Sequence, residues 1–208
     1  METLRFASFQ AHIALFSSIS PSSLSSLRQS ILDASLLPSA DSPECTPAAH
    51  AQREAVNFAF INPRLITSKL HLQTAIYQAV LAETENALRT KTVHSEILWA
   101  LNPTNNISEA IRRYGLPSPA NSISTASPRE GASLLVIRVC GPDLQAGKVQ
   151  ENMSRVVEGT LMPLDTLLSL TDWATIKKFH KLNNESWITN DVVDNIVTST
   201  AAMKSVAS

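Results

Sequence analysis

The stretch Leu134-Leu135-Val136-Ile137-Arg138-Val139-Cys140 is apolar at every position except Arg138. A strand with one face in water alternates apolar and polar residues, whereas a strand buried on both faces shows an almost continuous apolar run. We therefore predict that residues 134–140 form a central strand of a sheet that is covered on both sides. Helices cover such a sheet, so the expected fold class is α/β, with a single mixed sheet packed with helices.

Further strands are predicted from alternation and from short apolar runs. Alternation predicts a half-buried strand at 4–16 and another strand at 93–101. An apolar run predicts a strand at 56–61, and a brief extended stretch is predicted near 156–161. The N-terminal segment has the outline of a signal peptide, but Glu2 and other polar residues interrupt it, so a strand is the better interpretation.

Apolar residues at helical spacing, together with capping residues, predict the helices between these strands. A first helix runs from a Ser/Pro start to just before Pro38. The clearest helix is 107–114, which has a capping-box-like start at Asn106 and, we expect, a left-handed stop at Gly115. The other predicted helices begin at the N-cap Ser68 or cover 145–158, 171–181 and 190–203. The order of the strands in the sheet stays open.

The composition fits one domain over residues 1–208. With 44% hydrophobic and only 17% charged residues, the chain can bury a core. Two Pro/Ser-rich segments, 38–50 and 117–131, are predicted to be flexible loops. The formal net charge of −1 gives no global attraction to nucleic acid or to a membrane surface, so nucleic-acid binding would need a local patch. No run is long enough to span a bilayer, and no membrane partner is expected.

Motifs of self-sufficient catalysts are missing. The chain has five glycines, and no two lie at the spacing of a phosphate-binding loop. A Ser-centred G-x-S-x-G elbow is also missing. Cys45 and Cys140 stand in unrelated contexts, which argues against a disulfide framework and for a reducing compartment. We therefore expect a non-enzymatic subunit of a larger assembly, without catalytic residues, metal or cofactor.

One motif could carry chemistry. His94-Ser95-Glu96 has the H-x-E form with which zinc deaminases supply a ligand and a proton shuttle, but the P-C-x-x-C that must accompany it is missing. We therefore interpret His94 and Glu96 as an exposed strand face next to a buried one. His71 and His180 share no acidic partner in the sequence, and we expect surface or helix-packing positions for them.

Basic residues gather between positions 64 and 113, where they could bind RNA phosphates. The candidates are Arg64, Lys69, Arg89, Lys91, Arg112 and Arg113. A second group of cations, at positions 177, 178 and 181, has a simpler explanation. Cations in the last turn of a helix complement its dipole.

The segment from Ile61 to Leu116 resembles the small α/β subunit of the KEOPS (EKC) complex, the family of the PRPK-binding protein. The most specific matches are Arg89-Thr90-Lys91-Thr92, Ser95-Glu96-Ile97 and Leu101-Asn102-Pro103-Thr104-Asn105-Asn106-Ile107-Ser108-Glu109-Ala110. Weaker, collinear matches lie at 13–16, 157–159 and 176–182. The chain departs from the family in its Ser-rich first helix and in the loops 38–50 and 117–131, which puts loop-borne contacts in doubt.

The resemblance implies a protein that does no chemistry itself. Members of this family bind an atypical kinase subunit directly and the other KEOPS subunits indirectly. They also help recruit tRNA by its 3′ CCA end, while another subunit transfers threonylcarbamoyl to the adenosine beside the anticodon. The resemblance further implies a place in the nucleus and cytoplasm and a link to telomeres.

Candidate residues follow from these roles. Bases of a single-stranded tail could stack on Tyr114 or Trp99 if these are exposed. A kinase partner needs an apolar patch; its candidates are Ile107, Ile111, Tyr114, Ile176, Val193 and Ile196. Two alternatives stay open. A small hydrolase would bring His94 and Glu96 together in a pocket with a third polar group. A stand-alone RNA-binding module would bind RNA tightly and salt-sensitively on its own.

Overall fold

The computed structural model describes residues 1–38, 42–117, 131–184 and 187–206. Its strands form one sheet in the order β1-β2-β4-β3, and β5 pairs with β2 as well. The strands are β1 (Glu2–Arg5), β2 (Gln10–Ile19), β3 (Ala59–Ile61), β4 (Ala132–Cys140) and β5 (Thr160–Met162). All four pairings among these strands are antiparallel. The predicted α/β class, with helices against a single sheet, is confirmed.

The described part of the chain contains nine α-helices, which lie around this sheet, and none of them is long and apolar enough to cross a membrane. They are α1 (Pro21–Leu36), α2 (Pro47–Ala55), α3 (Lys69–Thr84), α4 (Val93–Leu101), α5 (Ile107–Tyr114), α6 (Ala146–Val156), α7 (Leu167–Leu170), α8 (Trp173–Phe179) and α9 (Asn190–Ala202). The predictions for α1, α3, α5, α6, α8 and α9 are confirmed, including the N-caps Ser68 and Asn106.

The predicted central strand is confirmed, because β4 lies between β2 and β3. Its alternate residues face two separate cores. Leu135, Ile137 and Val139 belong to a larger core built with α3, α4, α5, α7, α8 and α9, which we call the first face. Leu134 and Val136 belong to a smaller core built with α1 and α6, which we call the second face. Burial on both sides explains the unbroken apolar run.

The prediction of one strand over 4–16 is wrong. The chain turns back between β1 and β2, where the Phe6 amide donates to the Phe9 carbonyl over 2.9 Å, and the two strands pair antiparallel. The alternation continues through this turn, so it could not indicate the break. Residues 11–16 of β2 are buried on both faces rather than half-buried.

The prediction of a strand over 93–101 is also wrong, because these residues form α4. Thr92 caps the helix, and Ser95 completes a capping box with it. Seven of the nine residues of α4 are buried. A helix that is buried all round has no amphipathic stripe, so its sequence shows no helical period. The Thr92-x-x-Ser95 spacing was the feature of the sequence that indicated the start of this helix.

Three smaller predictions change. The strand predicted at 56–61 is confirmed only for Ala59–Ile61. In the loop predicted at 38–50, residues 39–41 lie outside the described part of the chain, and residues 47–50 are helical because α2 begins at Pro47 after the N-cap Thr46. In the loop predicted at 117–131, residues 118–130 lie outside the described part of the chain. The left-handed stop at Gly115 is wrong as well, since its φ is −73°. A Cβ there would clash with the Ile111 carbonyl oxygen, and this close approach explains the glycine.

Candidate docking and nucleic-acid interface

The last turns of α5 and α8 meet at the surface. The Arg113 guanidinium lies 4.3 Å from the centre of the Phe179 ring and forms an ion pair with Glu109 over 2.6 Å. Arg112 is exposed on α5, and Lys178 and Lys181 are exposed at the end of α8. The helix dipole accounted for the α8 cations in the sequence, but the contact of Arg113 with Phe179 brings the ends of α5 and α8, which carry these cations, together. We call Arg112, Arg113, Lys178 and Lys181 the basic ridge.

Arg64 lies next to α8. Its guanidinium forms an ion pair with Asp172 over 3.2 Å, and Asp172 also caps α8 by accepting from the Thr175 amide. Asn62 and Tyr114 connect the same region, because the Asn62 amide donates to the Tyr114 carbonyl over 2.8 Å. The turn that bears Arg64 is therefore attached to both α5 and α8, and Arg64 extends the basic ridge.

The other three predicted RNA-binding cations lie elsewhere. Lys69 at the start of α3 is held between Glu2 of β1 and Asp165, at 2.7 and 2.6 Å. Arg89 and Lys91 lie in the turn before α4, whereas α5 follows the other end of that helix. The Arg89 guanidinium lies 6.0 Å from the centre of the Trp99 ring. The six predicted cations therefore do not form one patch.

The aromatic residues predicted to stack on bases are buried. Tyr114 is fully buried in the first-face core, where burial raises the pKa of its hydroxyl. Trp99 is 5% exposed, and Arg89 and Lys204 approach its ring. Neither ring offers a free face to a nucleobase, so this part of the prediction is wrong.

His94 and Glu96 hold the structure together in two different places. His94 Nε2 accepts a hydrogen bond from the Val139 amide over 2.9 Å, which requires the proton on Nδ1. Burial and the Arg138 charge lower the pKa of His94 to about 3, so it stays neutral near pH 7. Glu96 Oε2 accepts from the amides of Arg89 and Thr90 and from the Thr90 hydroxyl. The predicted exposed strand face is wrong, because both side chains are buried on α4.

His71 and His180 come together although they are distant in sequence. His71 Nδ1 accepts from the Thr67 amide over 3.3 Å, and burial with the neighbouring His180 lowers its pKa to about 3. Burial and the Arg113 charge lower the pKa of His180 to about 4. Asp194 of α9 acts on His71 in the opposite direction. The expected helix packing is confirmed for His71, which is buried on α3, but an acidic neighbour is present after all.

The predicted apolar partner-binding residues divide into three groups by exposure. Tyr114, Ile176 and Val193 are at most 1% exposed and form part of the core, so they are wrong as surface contacts. Ile196 is half-buried. Ile107 and Ile111 are exposed by 37% and 50%, one helical turn apart and next to Arg112. These two isoleucines therefore lie beside the basic ridge.

A second apolar surface was missed in the sequence. Leu70 and Tyr77 on α3 are exposed by 60% and 54%. The Tyr77 ring lies 6.3 Å from the Phe6 ring, which follows β1. The Gln78 side chain donates to the Ala202 carbonyl, which places the exposed Met203 near the same part of α3. We call Phe6, Leu70, Tyr77 and Met203 the apolar surface. The sequence does contain an indication of this surface: Leu70 and Tyr77 are two helical turns apart on α3, on a different side from the buried apolar residues of that helix.

No group of three metal-ligating side chains occurs in the part of the chain that the structure describes. A cleft of about 510 Å³ opens on the second face between α1, α2 and α6. Its lining from α1 includes Ser22, Ser23, Ser26 and Ser30. A smaller cleft of about 190 Å³ lies between α3 and α4. Neither cleft brings His94 and Glu96 together, as the hydrolase alternative required.

Comparison with known proteins gives a consistent family. The family model described as "Kinase binding protein CGI-121" matches residues 16–205. A Gibberella zeae protein named EKC/KEOPS complex subunit CGI121 is 32% identical over 71% of this chain and 73% of its own length. A Neurospora crassa protein named EKC/KEOPS complex subunit cgi121 is 36% identical over 61% of this chain. The alignment spans 63% of the Neurospora protein, less than two thirds of its length. A Cryptococcus neoformans subunit of the same name is 29% identical over 99% of this chain and all of its own length.

Proposed function

Because the chain belongs to the CGI-121 kinase-binding protein family, we propose that it is a docking subunit of the KEOPS complex. In this proposal it binds the kinase subunit of the complex through the apolar surface. It also helps recruit tRNA, by the 3′ CCA end, through the basic ridge. The observation that carries the proposal is the group of exposed apolar side chains on α3, together with exposed cations on α5 and after α8, on a chain whose H-x-E side chains both make structural hydrogen bonds.

The apolar surface supports kinase binding. Large apolar side chains that remain clustered at the surface of a folded chain mark interaction sites. Leu70 and Tyr77 project from α3 away from the buried residues Leu72 and Ile76 on the same helix. Aromatic anchors such as Tyr77 contribute strongly at protein interfaces. Ile107 and Ile111, which were candidates for this role, lie instead next to the cations of the basic ridge.

The basic ridge supports binding of a single-stranded tail. Such a tail needs cations for its phosphates and apolar surface for its bases. Arg112 on α5 and Lys181 just after α8 supply exposed cations, and Ile107 and Ile111 supply exposed apolar area next to Arg112. The RNA surface proposed here therefore consists of the basic ridge, Arg64 and these two isoleucines.

The RNA role is tested by measuring the affinity of the chain, alone and with its kinase partner, for intact tRNA and for tRNA without its CCA end. Removing the tail should weaken binding. The double variant Arg112→Glu and Lys181→Glu should lower the affinity for intact tRNA about tenfold. The slope of the logarithm of the binding constant against the logarithm of salt concentration should become less steep by about 0.7 for each lost phosphate contact. Arg113 is left intact because it packs on Phe179.

The matched control is the double variant Lys148→Glu and Arg155→Glu, which reverses two exposed cations on α6 at the second face. It should leave the affinity and its salt dependence unchanged. Equal binding of trimmed and intact tRNA would refute the role of the 3′ end. Equal losses in the control and in the variant of the basic ridge would show that only overall charge matters.

The kinase role is tested with Leu70→Lys and Tyr77→Lys in a quantitative binding assay with the KEOPS kinase. Each change should lower the affinity at least tenfold, because a charge would be buried in an apolar interface. Leu32→Lys is the matched control, since Leu32 is 51% exposed on α1 of the second face. Unchanged kinase affinity in both α3 variants would exclude the apolar surface as the binding site.

A further inference from the structure

Lys204 lies in the turn that follows α9 (residues 203–206) and is only 4% exposed. Its Nζ donates hydrogen bonds to the carbonyl oxygens of Asn102 over 2.8 Å and of Thr104 over 2.7 Å. The same Nζ lies 4.7 Å from the centre of the Trp99 ring. Among the described residues, no carboxylate lies within ion-pair distance of it. Two carbonyl oxygens and an aromatic face therefore surround a buried ammonium.

A lysine normally keeps its ammonium in water, because burying an unpaired charge is unfavourable. Burial lowers the pKa of Lys204 to about 8, which reflects this cost. Carbonyl dipoles and the negative face of an indole ring are what stabilises a cation without a counterion. The two carbonyl oxygens and the Trp99 ring therefore accommodate a buried amino group that supplies N–H donors and carries positive charge.

The carbonyls that Lys204 binds belong to the loop 102–106 between α4 and α5. The Asn102 side chain organises this loop from inside, because its Nδ2 donates to Thr104 Oγ1 over 2.8 Å and to the Thr104 carbonyl over 3.0 Å. Asn106 ends the loop and caps α5, with its Oδ1 accepting from the Glu109 amide over 3.0 Å. The geometry of the loop therefore sets where α5 begins and how it presents Ile107.

We propose that Lys204 is a positioning residue for the RNA surface: its ammonium fixes the loop 102–106 and through it the start of α5. The turn after α9 thus acts as an intramolecular ligand for a primary-ammonium site made by Asn102, Thr104 and Trp99. The effect on RNA rests on the proposed function, whereas the effect on the loop is a property of the isolated chain. The two can be measured separately.

The loop is tested by hydrogen exchange on the full chain with Lys204→Met, which keeps the length of the side chain but removes its charge and donors. Amides of residues 102–110 should exchange about tenfold faster, while those of β2 and β4 keep their protection. Lys204→Arg keeps charge and donors and should restore most of the protection. Unchanged exchange in Lys204→Met would refute the proposal, and so would a uniform increase across the sheet.

Chemical rescue separates positioning from general destabilisation. In Lys204→Ala, methylammonium chloride should restore protection of the loop and recover at least half of an expected five- to tenfold loss in tRNA affinity. Tetramethylammonium chloride has the same charge but no N–H donor, and it should restore neither. Equal effects of the two salts would refute the ammonium site. If the loop responds as expected but neither the wild-type chain nor its complex binds tRNA, the proposed RNA function is refuted while the fixing of the loop 102–106 by Lys204 is supported.

Discussion

The two faces of the sheet differ in what they bury. The first face encloses several polar side chains with specific partners, among them His71, His94, Glu96 and Lys204. The second face buries mainly apolar residues of α1 and α6. Arg138, whose guanidinium hydrogen-bonds the Asn57 carbonyl, lies 5.6 Å from the Phe58 ring on this side. Buried polar groups require exact partners, so they fix geometry where apolar packing alone would tolerate variation.

The distribution of family resemblance follows the same division. The segment 61–116, which carries the most specific matches, forms the elements from β3 to α5 that build the first face. Two of the departures, the Ser-rich α1 and the start of α2 in the segment 38–50, lie on the other side of the sheet. The third, 117–131, lies almost wholly outside the described residues. Both proposed surfaces lie on the elements of the first face or at its rim. The second face serves to cover the sheet, and its exposed side chains are suitable controls.

The largest expected difference between the faces lies in their packing. Leu72 is fully buried on α3, whereas Leu24 is 9% exposed on α1 at the smaller core. Leu72→Ala should lower the free energy of unfolding by about 4 kcal/mol and Leu24→Ala by about 2 kcal/mol, because the cavity left in the larger core collapses less. Chemical denaturation of both variants measures the difference. Equal losses would show that the two cores are equally well packed.

Acid should destabilise the chain through the buried histidines of the first face. The pKa of His94 is lowered to about 3 in the folded chain, so between pH 6.5 and 3 the unfolded state binds a proton that the native state does not. Stability therefore falls as pH falls through this window, by about 2 kcal/mol at pH 5 for His94.

The variant His94→Gln removes the proton uptake by His94 on unfolding, while the glutamine amide oxygen can still accept a hydrogen bond from the Val139 amide. Between pH 4 and 5.5, the slope of the unfolding free energy against pH should fall by the contribution of about one proton, which is about 1.4 kcal/mol per pH unit. Leu24→Ala serves as a control that changes stability without removing an ionisable group, and its slope should equal that of the wild type. An unchanged slope in His94→Gln would mean that His94 is protonated in the folded chain.

The smallest expected effect compares two arginines, each paired with a glutamate one turn earlier. Arg113 on the first face is 20% exposed and contacts Phe179, whereas Arg155 on α6 is 70% exposed. Arg113→Ala should lower the free energy of unfolding by about 1 kcal/mol, because the cation–π contact is lost. Arg155→Ala should change stability by less than about 0.5 kcal/mol. Thermal unfolding of both variants checks this, and a larger loss for Arg155 would reverse the comparison.

The elements that were predictable from the sequence are those whose burial leaves a pattern. The continuous apolar run of β4 and the capped stripe of α5 predicted both elements correctly. The helix α4 could not be recognised by period, because nearly all of its sides are buried and the apolar residues fall on every face. The break between β1 and β2 was hidden because the alternation continues across the turn.

The candidate site was only partly predictable for a related reason. Arg112 and Arg113 were identified from local charge, but their proximity to Lys178 and Lys181 depends on the contact between Arg113 and Phe179. That contact joins residues 66 positions apart, which no local pattern records. Similarly, an isolated lysine at position 204 gives no indication that it binds a loop 100 to 102 positions earlier.

This separation also matters while the protein is being made. The loop 102–106 leaves the ribosome long before Lys204 is translated, so for that interval Asn102 and Thr104 have carbonyls without their ammonium partner. Lys204 follows every strand of the sheet β1-β2-β4-β3 in the sequence, so the contact that we propose for fixing the start of α5 becomes possible only after all of these strands have been made. The RNA surface that we propose would therefore be complete only after residue 204 has been made.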